Sequence, residues 1–282
     1  MEQLNGRTAF ITGGARGIGL GIARALAKEG VKLALVDLDA AALDAAREEL
    51  SALVPTEVFI LDVRDRQRFA ELADEVESKL GPVSLVFNNA GVAGGESTSK
   101  MTYETWDWMI DINLNGVVNG VQTFMPRMIE RGDGGHIVNT SSGAGLVVIG
   151  AGVMYSATKF AVVGMSEALW HGLKKFNIGV SVLCPGYVAT GIVDNSVAIR
   201  AEGKGDPINK TDERRERSRH QLSGGASPDF VGDLVIDAIK GEHLYIYTDH
   251  MIEQPLLDRH KVLMSAFEPL NARLALEQAA QT

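Results

Sequence analysis

Short apolar runs alternate along the chain with longer stretches of helical spacing, and this alternation restricts the fold more than any other feature. The runs cover residues 8–12, 32–37, 58–62, 84–88, 136–140 and 180–184. They are rich in β-branched and aliphatic residues and do not alternate with polar ones, as in strands buried on both faces of a parallel sheet. Helix patterns fill 18–29, 39–53, 65–80, 101–130 and 155–176. In the third of these, Phe69, Leu72, Ala73 and Val76 recur on one face. Ser227-Pro228-Asp229 opens a further helix, a short run at 244–247 completes seven strands, and a last helix is expected from about 254 to 267. The expectation is an α/β fold, a Rossmann-like, doubly wound, mostly parallel seven-stranded sheet with helices on both faces.

The first run leads into G-G-A-R-G-I-G. Gly13, Ala15, Arg16, Gly17, Ile18 and Gly19 therefore sit where a strand turns into a helix. A dinucleotide needs a tight turn, close backbone approach and a helix N-terminus at its pyrophosphate, which Gly13, Gly17 and Gly19 can supply. Asp37 follows at the end of the second run, near the spacing of about 20 residues at which a carboxylate meets ribose hydroxyls. Its charge repels a 2′-phosphate, so NAD is expected over NADP. Arg16 pulls the other way but can swing aside, and Asp39 can cap the next helix in place of Asp37. Asp62-Val63 ends the third run, where a carboxylate can reach an adenine amine. Asn88-Asn89-Ala90-Gly91 ends the fourth, where small residues let a ribose lie on the backbone.

Tyr155 and Lys159 are four apart and share a helix face. A free tyrosine, with a pKa of about 10, is a poor base near neutrality. A neighbouring ammonium lowers that value, making the pair a candidate acid–base unit for a hydroxyl proton. Ser142 and Ser141, at the end of the fifth run, both qualify to hydrogen-bond a substrate oxygen. The plain alternatives are a turn serine and an amphipathic helix surface.

Taken in order, T-G-G-A-R-G-I-G, Asp37, Asp62-Val63, N-N-A-G, I-N-L-N-G at 112–116, V-N-T-S-S at 138–142, Y-S-A-T-K and C-P-G-Y-V-A-T at 184–190 resemble the short-chain dehydrogenase/reductases in their one-domain branch. The resemblance implies Tyr155 as proton donor or acceptor, with Lys159 lowering its pKa and holding the nicotinamide ribose. It implies Ser142 polarising the carbonyl and Asn113 holding a water that links Lys159 to solvent. Pro185, Gly186, Val188 and Thr190 would border the nicotinamide. The implied activity is hydride transfer between NAD(H) and a secondary alcohol or ketone, an NAD(P)-dependent alcohol dehydrogenase or ketoreductase. An NADP-preferring ketoreductase and a catalytically silent nucleotide-binding scaffold are the alternatives. F-M-P-R-M-I, a long insertion and the ending H-L-Y-I-Y-T-D-H are most similar to dehydrogenases and reductases of bulky aromatic alcohols and ketones, including benzylic Cα-alcohols.

With no linker or repeat, residues 1–282 are expected to form a single NAD(P)-binding domain. It would carry a substrate lid at about 190–226 and a C-terminal helical extension at about 250–282. Glycines 203, 205, 224 and 225 could hinge the lid, and Leu146, Val147, Val148 and Ile149 could form the opposite wall, near Met154 and Tyr187. A net charge of −9 argues against nucleic acid. One cysteine, Cys184, forms no internal disulfide, and the histidines show no metal spacing. The least charged stretch, 143–158, is short and interrupted by glycines, so no membrane span is expected and the cytoplasm is the expected compartment. The long helices at 101–130 and 155–176 carry apolar residues beyond one stripe. Such helices bury a second face against another subunit, and the family resemblance implies a homotetramer, with a dimer if the altered C-terminus weakens one interface.

Overall fold

The three-dimensional description is a computed structural model covering residues 1, 3–94, 98–148, 150, 152–202 and 212–281. Seven strands, β1 (Thr8–Thr12), β2 (Lys32–Asp37), β3 (Thr56–Ile60), β4 (Val83–Asn88), β5 (Gly135–Thr140), β6 (Ile178–Cys184) and β7 (Tyr245–Tyr247), lie in the order β3-β2-β1-β4-β5-β6-β7. Every pairing is parallel. The apolar runs read as continuous because successive residues go to opposite layers. Ala9, Ile11, Leu33 and Leu35 pack into one core, and Phe10, Ala34, Val36 and Val86 into the other.

One layer holds α1 (Gly17–Lys28), α2 (Ala40–Leu50) and α9 (Pro228–Gly241); the other holds α3 (Arg66–Leu80), α4 (Tyr103–Ile110), α5 (Gly116–Arg131) and α6 (Val153–Leu173). The helix starts follow their side chains. Asp39, Asp65, Thr102 and Ser227 each accept from a backbone N–H one turn on, at Ala42, Arg68, Thr105 and Phe230. Asp39 thus caps α2, and Asp37 is spared that task. The expected single helix at 101–130 is interrupted by a π turn at Asp111–Asn115.

The polar stretch after Thr190 holds two helices, α7 (Ile192–Glu202) and α8 (Asp212–Ser223). The C-terminus adds α10 (Glu253–Ser265) and α11 (Glu268–Gln281). Among the described residues no helix is long and apolar enough to cross a membrane.

Candidate active site

The strand order reverses between β1 and β4, and such a switch point opens a crevice at the carboxyl ends of the strands. Thr12 and Asn89 close the floor of that crevice. The Thr12 hydroxyl accepts from the backbone N–H of Asn89 and of Ala90, both at 3.0 Å. The Asn89 amide donates back to the carbonyls of Thr12 and Gly13 at 3.1 and 3.2 Å. The sequence reading includes Thr12 in the motif T-G-G-A-R-G-I-G but gives it no role; a hydroxyl ending a buried strand is the signal that could have found it.

The glycine loop is built for close approach. Gly13 and Gly17 have φ of +63° and +52°, a region that favours glycine. A Cβ on Gly19 would lie 2.1 Å from the Gly13 carbonyl oxygen, and one on Gly17 would meet the Thr190 methyl at 3.2 Å. The loop thus forms a cradle that side chains would fill, which fits a pyrophosphate. Asp37 accepts from the Ala15 N–H at 3.3 Å and from the Leu38 N–H at 2.8 Å. Arg16 pairs with Asp39 and donates to the Asn195 amide oxygen of α7 at 3.3 Å. Asp62 lies just past the end of β3. Burial raises its pKa, but the forked Arg64 guanidinium and the Arg64 N–H outweigh that and hold the carboxyl below its ordinary range.

On the other side of the crevice, Ser142, Tyr155 and Lys159 converge. The choice between the serines resolves locally. The Ser141 hydroxyl donates to the Lys159 carbonyl at 2.8 Å, whereas the Ser142 hydroxyl accepts from the Ala144 N–H at 3.1 Å and faces the Tyr155 phenol. The half-buried Tyr155 has its phenol pKa pushed up by desolvation, with the Ser142 hydroxyl pulling it down. Lys159 is buried, and desolvation lowers its pKa to about 8. Its ammonium donates to the Thr140 carbonyl at 3.0 Å and stands 5.7 Å from the centre of the Tyr155 ring. Burial and the Ser142 hydroxyl thus set the direction of the phenol shift, and one N–H of the Lys159 ammonium is taken up by the Thr140 carbonyl.

Asn113 lies in the π turn beneath the crevice. Its amide brackets Val92, accepting from the N–H at 2.8 Å and donating to the carbonyl at 3.0 Å. A Cβ on Gly91 would lie 3.1 Å from its oxygen and 3.4 Å from the Lys159 ammonium, so Gly91 keeps the two groups within reach of each other.

These pieces line one cleft of about 1200 Å³. Gly13, Arg16, Gly17, Ile18, Asp37, Asp62, Val63, Asn89, Ala90, Gly91, Ser142, Tyr155, Lys159, Pro185, Gly186, Val188 and Thr190 face it; Ala15, Gly19 and Asn113 support it from behind. Ile192, Val193, Ile199, Leu222, Tyr187 and Met251 line the other end, interspersed with Asn195, Arg217, Ser218 and Gln221. Of the expected opposite wall, Leu146, Val147 and Val148 do not line the cleft. Leu146 and Val147 pack with Val163, Val182 and Ile252, Met154 is buried in the second core, and Val148 is exposed. Ile149 lies outside the described residues. Among the proposed hinges, Gly203 and Gly205 also lie outside them. Gly225 is pinned: a Cβ there would meet the Tyr187 carbonyl oxygen at 2.1 Å, and Ala226 bonds Tyr187 and Ala189 through the backbone.

A parallel sheet whose switch point carries a glycine cradle on one side and a Tyr/Lys pair on the other defines a nucleotide-linked oxidoreductase site. The short chain dehydrogenase family model matches residues 7–200, and the chain belongs to that family. It is 34% identical over 275 residues to a C alpha-dehydrogenase of Sphingobium sp. (strain NBRC 103272 / SYK-6), covering 96% of this chain and 90% of that protein. A short chain dehydrogenase/reductase from Burkholderia phymatum, solved in complex with NAD, superposes with a TM-score of 0.88 at 32% identity, covering 94% of this chain and 97% of that one. LigO in its apo form, from Sphingobium sp. strain SYK-6, gives a TM-score of 0.81 at 33% identity over 100% and 98% of the two chains.

Proposed function

We propose that this oxidoreductase catalyses reversible hydride transfer between NAD(H) and a secondary alcohol or ketone with bulky apolar or aromatic substituents. The observation that carries the reading is the convergence of Ser142, Tyr155 and Lys159 in the cleft that Asp37 lines. The apolar side chains at the α7 end of the cleft, and the likeness to a C alpha-dehydrogenase and to an NAD complex, support the substrate class and the cofactor. When bound, NAD supplies the hydride acceptor. Gly13, Gly17 and the N-terminus of α1 cradle its phosphates, and Asp37 receives its ribose hydroxyls. The Ser142 hydroxyl donates to the substrate oxygen, and the Tyr155 hydroxyl gives or takes the proton there. Lys159 carries the positive charge beside the phenol, and Asn113 would hold a water that links Lys159 to solvent.

Because burial raises the Tyr155 pKa, the phenol stands ready as an acid for ketone reduction. Alcohol oxidation needs the phenolate. Its kcat/KM should therefore rise with pH toward the phenol pKa while that of reduction falls. Tyr155→Phe should keep cofactor binding and lose about 10²–10⁴-fold in kcat; a variant retaining more than about a tenth of kcat would defeat the role. Both cofactors are tested at 340 nm with a panel of alcohols and ketones. Higher kcat/KM with NADPH would favour the ketoreductase reading, for which Arg16 at the cleft is the supporting residue. A lack of turnover on the whole panel, with NAD still bound, would favour the scaffold.

We read residues 1–282 as one nucleotide-binding domain bearing a lid and a C-terminal extension, working in the cytoplasm with a single buried thiol, Cys184. We expect a homotetramer, or a dimer. Apolar side chains left open along α10 and α11, with Val262 and Leu276 at 70% and 68% exposure, support assembly. A monomer by light scattering at micromolar concentration would refute it.

A further inference from the structure

The lid helix α7 is fastened to both sides of the crevice by adjacent residues. Ser196 accepts from the Ala93 N–H at 2.8 Å, on the chain that leaves β4. Asn195 accepts from Arg16 at 3.3 Å, on the glycine loop that leaves β1. Two neighbouring contacts tighten the second attachment: the Asn195 N–H bonds the Gly191 carbonyl at 3.0 Å, and Thr190 abuts Gly17. Further along α7, Arg200 donates to Thr105 at 2.8 Å and lies over Trp108.

Arg16 therefore has a double allegiance. Its guanidinium borders the cleft beside Asp37, where a 2′-phosphate would have to be neutralised. Among the described residues, two further arginines line the cleft: Arg64 is forked onto Asp62, and Arg217 belongs to α8 of the lid itself. Arg16 also holds Asp39, but that pair is solvent-exposed on both partners, is screened, and does not depend on the lid. The part-buried bond to Asn195 does depend on the lid.

We propose that Asn195 is a positioning residue for cofactor choice: by accepting from Arg16 it sets lid docking and 2′-phosphate binding in competition for one guanidinium. The proposal deepens the NAD reading given above and rests on it. NAD lacks the 2′-phosphate that would compete for Arg16 beside Asp37, so the lid stays fastened with NAD bound. A 2′-phosphate draws Arg16 off Asn195 and loosens the start of α7. Linkage makes the effect reciprocal, so whatever fastens the lid must weaken the phosphorylated cofactor by the same factor.

Equilibrium binding of NADH and NADPH, followed by nicotinamide fluorescence without substrate, tests the idea. Asn195→Ala should lower the ratio Kd(NADPH)/Kd(NADH) by up to about tenfold, the worth of one charge-assisted hydrogen bond. Asn195→Asp, which grips Arg16 harder, should raise the ratio. In an Arg16→Ala background both shifts should vanish. Hydrogen exchange of the α7 amides should quicken with NADPH, relative to NADH, in the parent protein. An unchanged ratio in Asn195→Ala overturns the inference, and so does a shift that survives Arg16→Ala. A parent protein that binds NADPH more tightly than NADH overturns the NAD reading instead; the sign and Arg16-dependence of the two Asn195 shifts then still decide the inference.

Discussion

His136 shows what one buried side chain can cost. It lies 1% exposed in β5 and shares a hydrogen bond with Ser181 at 2.9 Å, and the Ser181 hydroxyl donates to the His243 carbonyl. Desolvation lowers its pKa to about 3, from an ordinary 6.5. Between those values the unfolded chain binds a proton that the folded one refuses. The stability that neutral His136 contributes is thus intact above pH 6.5 and is lost as pH falls toward 3, at up to roughly 1.4 kcal/mol per pH unit. His136→Gln keeps a hydrogen-bonding amide and removes the titration. The advantage of the parent over this variant in urea unfolding should shrink steadily from pH 7 to pH 4.5; a constant difference would show that the histidine charges inside the fold. Lys159 is shifted in the same direction, but it is charged near neutrality. A charged lysine kept 4% exposed costs stability below its pKa of about 8, and its placement between Gly91 and Thr140 suits chemistry rather than folding.

At the scale of elements, α1 and α9 touch backbone to backbone. A Cβ on Gly21 would lie 2.0 Å from the Pro228 carbonyl oxygen, and one on Gly232 2.2 Å from the Gly21 carbonyl oxygen. Glycine in a helix interior ordinarily costs about 1 kcal/mol against alanine. Here the sign reverses, and Gly232→Ala should destabilise by about 1–3 kcal/mol. Since α1 carries the glycine loop at its start, that variant should also bind NADH more weakly. A raised melting temperature would refute the close packing.

Nothing in the spacing of Gly21 or Gly232 announces this contact, and the same limit explains what else the sequence did not show. Strands and capped helices were legible within a few residues, because Asp39, Asp65 and Ser227 act locally and the apolar runs carry their own period. The helices α7 and α8 were not, because no apolar stripe marks them and α7 is held by single polar contacts such as Ser196 to Ala93. The residues facing the cleft were legible from motifs. The direction of the Lys159 ammonium was not, since it depends on a carbonyl in β5 far along the chain.

The whole molecule divides the crevice between a fixed half and an added one. The sheet, the glycine loop and α6 hold Asp37, Tyr155 and Lys159, while α7 and α8 line the other end. Replacing residues 194–225 with a short Gly/Ser linker should raise KM for bulky ketones or lower kcat, with NADH affinity changed far less. Unaltered kinetics in a folded deletion would show that the segment does not cover substrate. The seam between α1 and α9 has a further consequence, for the order of synthesis. Ile22 and Leu26, made early, share a core with Val231, Val235 and Ile239, made more than two hundred residues later. On the ribosome the nucleotide loop emerges first, yet the helix behind it stays uncovered until nearly the whole chain has been translated. Nascent chains stalled before residue 230 should therefore leave α1 open to proteases and chaperones, and the cradle should become rigid only when α9 arrives.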